Sequence, residues 1–174
     1  MKNVLVTGCS GGIGTALARS LLAHPLVREV VGVDTRPPAL PADKRWRFVR
    51  ADIRDGVYLR SLLEEWNIET VYHLAHAANE AGDRGFDHLV NVEGTLLLLD
   101  AADKTNSVRK LVLASSALAY GAFRDNPVPL SEERPLRVSG PRYGLEVREM
   151  EESVRDRLPG LRATLQVSVL RLCT

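Results

Sequence analysis

Short apolar runs alternate with longer stretches of helical periodicity along the 174 residues, which predicts an α/β protein with a parallel sheet covered by helices on both faces. Lys2 to Val6 is β-branched and ends at Thr7-Gly8, as a buried strand does, and a helix is expected from about Gly12 to Ala23, stopped by Pro25. Val27 to Asp34 (VREVVGVD) reads as the second strand, and Thr35 to Lys44 carries three prolines and must be loop. Strand three is expected at Arg47 to Ala51, a helix at about Gly56 to Trp66, and strand four at Thr70 to Leu74, before an irregular segment rich in Ala and Gly. A long helix then spans about Phe86 to Asp103. Its Leu96 to Leu99 run is flanked by Asp87, Glu93, Asp100 and Asp103, which marks a core helix and not a membrane element. Strand five is Lys110 to Ser115, and the segment after it holds Gly121, Pro127, Pro129, Pro135, Gly140 and Pro141, a loop long enough that function or disorder is expected of it. A last helix, Tyr143 to Arg157, stops at Pro159-Gly160, and Ala163 to Leu172 reads as strand six. No internal repeat interrupts this order, and residues 1–174 read as one domain.

Composition narrows the class without identifying it. Hydrophobic residues make up 45% and charged residues 26%, ordinary for one soluble globular domain. With 23 Lys plus Arg against 22 Asp plus Glu, the formal charge of +1 creates no field that recruits polyanions, and no nucleic-acid partner is expected. The apolar start breaks at Gly8, too early for a secretory signal, and no apolar run nears the roughly 18 residues that span a bilayer, so a cytoplasmic protein without a membrane partner is expected. Cys9 and Cys173 cannot build a disulfide framework or a zinc site by themselves, which suits a reducing compartment. His73 and His76 have no third ligand at a useful spacing, so no metal is expected and they read as satisfied polar residues.

The candidate chemistry begins at Thr7-Gly8-Cys9-Ser10-Gly11-Gly12-Ile13-Gly14, between the first strand and the first helix. Glycines there let the backbone turn tightly and approach a pyrophosphate, which would sit on the unpaired N–H groups of a helix N-terminus. About twenty residues later Asp34 ends the second strand, where a carboxylate can accept both ribose hydroxyls of an adenosine and repel a 2′-phosphate. Arg36 complicates the choice, because its guanidinium can pair with such a phosphate. Cys9 and Ser10 put no positive charge in the loop, so NAD is favoured as cofactor and NADP is the alternative. Strand, glycine loop, helix, strand and acid in this order make the expected fold a Rossmann-type doubly wound parallel sheet of about six strands.

Beyond the loop, Ala51-Asp52-Ile53-Arg54-Asp55, His73-Leu74-Ala75, Asn91-Val92-Glu93-Gly94-Thr95 and Ser115-Ser116-Ala117-Leu118-Ala119-Tyr120-Gly121 follow in order. With TGCSGGIG they resemble TGxxGxxG, the adenine-holding Asp and its apolar neighbour, the strand-four end beneath the cofactor, NVxGT and SSxxxYG of the extended short-chain dehydrogenase/reductases. The likeness is to the NAD-dependent epimerase/dehydratase group that acts on nucleotide sugars. It implies a cofactor site of Gly8, Gly11, Gly12, Ile13, Gly14, Asp34, Arg36, Asp52, Ile53, Leu74, Ala75, His76, Asn91 and Tyr143, with Ser116 and Tyr143 as catalytic residues. It also implies a small-molecule substrate, a nucleotide sugar, and a homodimer through the family's fourth and fifth helices, here Phe86 to Asp103 and Tyr143 to Arg157. Read from the residues alone, Asp52 and Asp55 have helix capping as the lesser alternative, and Asn91 can equally pin the backbone between its helix and the neighbouring strand.

Two departures from the pattern bear on mechanism. Four residues after Tyr143 the family carries Lys, whereas this chain has Val147, and Lys2, Lys44, Lys104 and Lys110 are its only lysines. A free phenol with a pKa near 10 is phenolate in only about one molecule in a thousand at pH 7, and an ammonium one helical turn away is what lowers that pKa. Arg148 is a poor substitute, since i+5 lies about 140° around a helix from i, whereas i+4 lies about 40° away. Family members also continue past strand six into a smaller domain that closes over the sugar, while this sequence ends at Thr174, so a cofactor-binding portion without its substrate domain is expected. Two readings follow: a nucleotide-sugar epimerase, dehydratase or reductase with a degenerate YxxxK motif, or a catalytically impaired dinucleotide-binding module acting as a cofactor-responsive partner or structural subunit.

Overall fold

The structure, a computed structural model, describes residues 2–40, 42–77, 84–139 and 142–173. Six strands, β1 (Lys2–Thr7), β2 (Val27–Asp34), β3 (Trp46–Arg50), β4 (Thr70–His73), β5 (Lys110–Ser116) and β6 (Gln166–Leu172), form one sheet in the order β3-β2-β1-β4-β5-β6. Every neighbouring pair is parallel. The chain steps outward from β1 to β3 on one side and from β4 to β6 on the other, so β1 and β4 flank the switch point of a doubly wound sheet. Thr7 is in register with both Val33 and His73, so β1, β2 and β4 end within a residue of one line and their loops gather there, while β5 runs past the level of His73 from Leu113 to Ser116.

The helices are α1 (Gly12–Ala23), α2 (Gly56–Glu65), α3 (Arg84–His88), α4 (Thr95–Lys104) and α5 (Arg142–Arg157). Alternation along the strands sorts the core into two layers. Leu5, Val31, Val33, Leu111 and Leu113 meet α2, α4 and α5 through Leu59, Leu63, Leu98, Leu99, Met150 and Val154. Val4, Val6 and Val30 meet α1 through Leu17, Leu21 and Leu22 on the other face. Completely buried side chains of this size contribute about 1.5–3 kcal/mol each, enough to hold both helix layers to the sheet.

Most element ends fall within a residue of the sequence expectation, and three departures have a local reason. Strand four ends at His73: the Leu74 amide is shared between the Thr7 carbonyl at 3.2 Å and the Thr7 hydroxyl oxygen at 3.3 Å, and the Ala75 amide turns to that hydroxyl alone at 3.3 Å. Strand six begins only at Gln166, because Arg162 is drawn onto the end of α4, donating to the carbonyls of Ala102 and Thr105 at 2.9 Å and of Asp103 at 2.7 Å. The long helix is not uniform: a π turn, Leu89–Gly94, separates α3 from α4. A Cβ on Gly94 would stand 2.9 Å from Ile53 Cδ1, and the wide turn carries Asn91 inward, buried. The Ala/Gly-rich segment after strand four lies partly outside the described residues, as do Gly140 and Pro141.

His73 locks β4 to β1 and to the π turn. Thr95 Oγ1 donates to the Asn91 carbonyl at 2.8 Å, so it accepts the Nε2 proton of His73 at 3.0 Å, and His73 Nδ1 accepts from the Thr7 hydroxyl at 2.7 Å. Burial, with a smaller contribution from the neighbouring His76, lowers its pKa from 6.5 to about 4. A His held neutral in the fold and free to protonate when unfolded stabilises the fold fully above pH 6.5, and that stabilisation is lost as pH falls toward 4. The loss should be on the order of 3 kcal/mol. Urea unfolding should therefore show a stability gap between the unmodified chain and His73→Asn that shrinks across this window; a gap independent of pH would contradict it.

Candidate functional site

The loop after β1 is shaped by backbone contacts that side chains would prevent. Gly8 has φ +68°, and a Cβ there would lie 2.6 Å from the Ala75 nitrogen and the Leu74 carbonyl carbon. A Cβ on Gly14 would meet the Gly8 oxygen at 2.1 Å, so the first turn of α1 is pressed onto the loop itself. Gly11 caps α1 without a side-chain hydrogen bond, and the first turn holds no acidic residue. The leading amides and the positive end of the helix dipole are thus left for an external anion. Gly12 has open space beside it and the Ile13 side chain is exposed.

Two adjoining clefts open on either side of this loop, sharing Gly8, Gly11, Leu74 and His76 as walls. The first, about 250 Å³, is lined by Asp34, Arg36, Asp52, Ile53, Ala75 and Ala77 among others. Asp34 is held from both sides: Oδ2 accepts the Ser10 amide at 3.0 Å and Oδ1 the Arg36 amide at 3.2 Å. The Ser10 hydroxyl donates to the Arg36 carbonyl, closing the glycine loop onto the end of β2. Asp52 is bound to Arg54, with Nη2 to Oδ2 at 2.6 Å, and these hydrogen bonds hold its carboxyl below the usual range. The helix-capping role belongs to Asp55, whose Oδ1 accepts the Tyr58 amide at 2.9 Å, so of the two aspartates only Asp55 caps α2.

The second cleft, about 370 Å³, runs from Gly11, Gly12, Ile13 and Gly14 past Leu74 and His76 to Ser116 and Tyr143. Ser116 ends β5, and its Oγ accepts the Leu118 amide at 3.2 Å, capping a short 3-10 turn, Ala117–Tyr120. Tyr143, in the first turn of α5, packs its ring against His76 with centroids 5.3 Å apart. Burial, and then the charge of Glu146, push its phenol pKa upward, away from the phenolate. Val147 is buried beneath it, in a small cavity also lined by His73, Asn91 and Met150. Arg148 points away, ion-paired to Glu152 at 2.8 Å. Asn91 makes the backbone-pinning contacts: Oδ1 accepts the Ala77 amide at 2.7 Å, and Nδ2 donates to the Ala77 carbonyl at 2.7 Å and to Glu146 Oε2 at 2.6 Å. Cys9 is fully buried, and that burial raises its thiol pKa to about 11, so it is an inert packing residue of the loop.

Sequence reasoning missed three groups around this cleft. Thr7, inside the glycine motif, is the hydroxyl that gathers His73, Leu74 and Ala75. Glu146 is a buried acid next to Tyr143, salt-bridged to Arg142 at 2.7 Å. Glu151, also buried, accepts from Ser115 Oγ and is held by Arg171 at 2.7 Å, whose guanidinium reaches the Tyr120 hydroxyl as well. A Glu on the apolar face of a predicted helix was the available signal for both acids, since such a position demands a partner.

A doubly wound parallel sheet with a glycine loop at its switch point, an acid at the end of β2 and a Ser–Tyr pair at the far end of the cleft defines the Rossmann-type class. The profile of the NAD dependent epimerase/dehydratase family matches residues 4–173, and the chain belongs to that family. It is 37% identical over 150 residues to a UDP-glucose 4-epimerase of Mycolicibacterium smegmatis, covering 79% of this chain and 45% of that protein. Among solved structures it superposes on the Bordetella bronchiseptica enzyme WbmH in complex with NAD+ with a TM-score of 0.85 and 26% identity, covering 100% of this chain and 56% of that one. It also superposes on a Thermotoga maritima UDP-glucose 4-epimerase with UDP-glucose, with a TM-score of 0.80 and 26% identity, over 97% of this chain and 54% of that one. The chain spans about half the length of the curated relatives it matches.

The loop geometry makes a direct prediction. Gly14→Ala forces α1 away from Gly8 and should destabilise the fold by about 1–3 kcal/mol, as overpacking against backbone does. Gly12→Ala, which meets open space, should cost less than about 1 kcal/mol. Thermal melts of the two variants check the difference, and equal losses would show that the contact does not shape the loop.

Proposed function

We propose that this chain binds NAD along the two adjoining clefts and forms the cofactor-binding portion of an oxidoreductase or epimerase acting on a nucleotide sugar. The observation that carries this reading is the position of the clefts, which run over an uncapped helix N-terminus from Asp34 at one end to Ser116 and Tyr143 at the other. In this reading the pyrophosphate rests on the amides of Gly12 to Gly14, the Gly11 amide being spent on the Gly8 carbonyl at 3.1 Å, and Gly8 lets the backbone approach it. Asp34, already oriented by Ser10 and Arg36, accepts the adenosine ribose hydroxyls, and Ile53, beside Asp52, lies against the adenine. Leu74, Ala75 and His76 form the floor, and Asn91 holds that floor in place through Ala77. Bound NAD would supply a hydride acceptor. Ser116 and Tyr143 would hydrogen-bond the carbinol or carbonyl oxygen of the substrate, and Tyr143 would exchange its proton. The named relatives, a UDP-glucose 4-epimerase and a structure with UDP-glucose, support a nucleotide sugar as substrate. The composition supports a cytoplasmic setting, and we assign a homodimer contact to α4 and α5.

A second reading is favoured by Val147 and by the upward push on the Tyr143 phenol: a module that binds the cofactor but turns it over poorly. Calorimetry should find NAD bound more tightly than NADP, with the preference narrowed by about tenfold in Asp34→Ala, the scale of one lost charge-assisted hydrogen bond. Tighter NADP binding by the unmodified chain would overturn the assignment. With UDP-galactose and NAD, Tyr143→Phe should abolish turnover while leaving NAD affinity within about threefold. Turnover that survives Tyr143→Phe excludes Tyr143 as the proton-exchanging group, and no turnover even in the unmodified chain favours the second reading.

A further inference from the structure

Asp52 and Ile53 line the first cleft, and with Asp34 turned to the ribose, Asp52 is the carboxylate there that a base would meet. Its acceptor positions are already occupied. Oδ1 accepts from the Arg54 amide at 2.9 Å and from Nε at 3.0 Å, and Oδ2 accepts from Nε at 3.1 Å and from Nη2 at 2.6 Å. A carboxylate has about four such positions, so Asp52 keeps little in reserve for the amine of a base.

The same guanidinium lies over the Phe86 ring, 4.7 Å from its centroid. Its hydrogen bonds to Asp52 fix the plane that the ring meets. Phe86 lines the first cleft, Arg54 lines the broad groove between α2 and α4, and Asp52 lines both, so the stacked pair forms the partition between the two spaces. Phe86 is 44% exposed, whereas Ile53 and Val90, apolar neighbours along the same cleft, are buried. An aromatic ring left uncovered beside buried apolar walls gains from being covered by a flat ligand.

We propose that Phe86 is the base-stacking residue of the first cleft, and that Arg54 makes this cleft tolerant of the purine it receives, by backing the Phe86 ring and by withholding the Asp52 carboxylate. This rests on the reading of the two clefts as the NAD site and adds to it which part of the base is recognised. The purine enters by its face, between Ile53 and Phe86, with no hydrogen bond from Asp52 to the group at its position 6. Stacking does not separate an amine from a carbonyl at that position, since every purine offers a similar face. A hydrogen bond to a carboxylate would separate them, because a carbonyl brought against Asp52 sets two acceptors against each other. The ligand class is therefore a purine dinucleotide, with adenine as one member. Phe86 touches the base, whereas Arg54 acts through Phe86 and Asp52 and is a positioning residue.

The test compares NAD with nicotinamide hypoxanthine dinucleotide, which carries a carbonyl in place of the adenine amine, by calorimetry on the full chain. The unmodified protein should bind the two within about fivefold of each other, and a larger preference for NAD overturns the proposal. Arg54→Ala frees Asp52 and should raise the preference for NAD by about tenfold, the scale of one hydrogen bond to a charged group; an unchanged ratio overturns the proposal. Phe86→Leu should weaken NAD and ADP-ribose alike by about tenfold. In NMR spectra of bound ADP-ribose, the adenine H2 and H8 resonances, shifted upfield by the Phe86 ring in the unmodified protein, should return toward their free positions in that variant. A fall in affinity with those resonances unmoved is an effect on the fold alone and also overturns the proposal. The first comparison needs no variant, so it decides even if a substitution unfolds the chain. Failure of the unmodified protein to bind either dinucleotide would sink the cofactor reading and this proposal with it, whereas binding with the wrong ratio sinks this proposal alone.

Discussion

The site depends on one contact, the meeting of the end of β1 with the end of β4 at Gly8 and Thr7. Two parallel strands that leave the sheet in opposite directions must part at this point, and the gap between them is where a ligand can enter. Gly8 brings backbone against backbone, leaving no room for a Cβ between it and Leu74–Ala75. Thr7 then holds the amides at this parting, its carbonyl accepting from Leu74 and its hydroxyl from Leu74 and Ala75 while donating to His73. His73 passes the constraint through Thr95 to the carbonyl of Asn91, and the Asn91 side chain passes it to Ala77 and Glu146. A continuous chain of satisfied polar groups thus runs from the glycine loop to the helix that carries Tyr143. Its links are buried, and a buried donor or acceptor left unpaired costs about 1–3 kcal/mol, which keeps the two cleft walls at a fixed separation.

A second buried network fixes the other wall. Glu151 accepts from Ser115 on β5 and from Arg171 on β6, and Arg171 continues to the Tyr120 hydroxyl and the Glu132 carbonyl in the loop beyond β5. Removing one partner of a pair this enclosed would leave a charge in the interior, typically a loss of about 3–5 kcal/mol. The register of Ser115 with Arg171 shows why the network forms here: the strand pairing brings both side chains to the same level of α5.

Electrostatics at Tyr143 oppose what proton transfer needs. Burial and Glu146 both favour the neutral phenol, and Arg142, the neighbouring cation on the helix, is paired with Glu146. The glycine loop, the uncapped helix and the oriented Asp34 are set in place by backbone contacts and hydrogen bonds, whereas the Tyr143 phenol is held toward its neutral form.

The order of strands and helices, the glycine loop, the acid at the end of β2 and the absence of a lysine near Tyr143 were all legible in the sequence. Each is a local property: a run of apolar residues, a backbone that tolerates positive φ, a residue type at a fixed helical spacing. The π turn at Asn91, the late start of β6 behind Arg162, the roles of Asp52 and Asp55, and the partners of Glu146 and Glu151 were not. These depend on which groups meet across distances of tens of residues, as Asn91 meets Glu146 and Ser115 meets Glu151. Periodicity along one element carries no information about such meetings. The two histidines show the division most clearly, since in the sequence they are equivalent neighbours at a strand end. Only the fold buries His73 between two threonines and leaves His76 against Tyr143, because β4 ends between them and the chain turns out of the sheet.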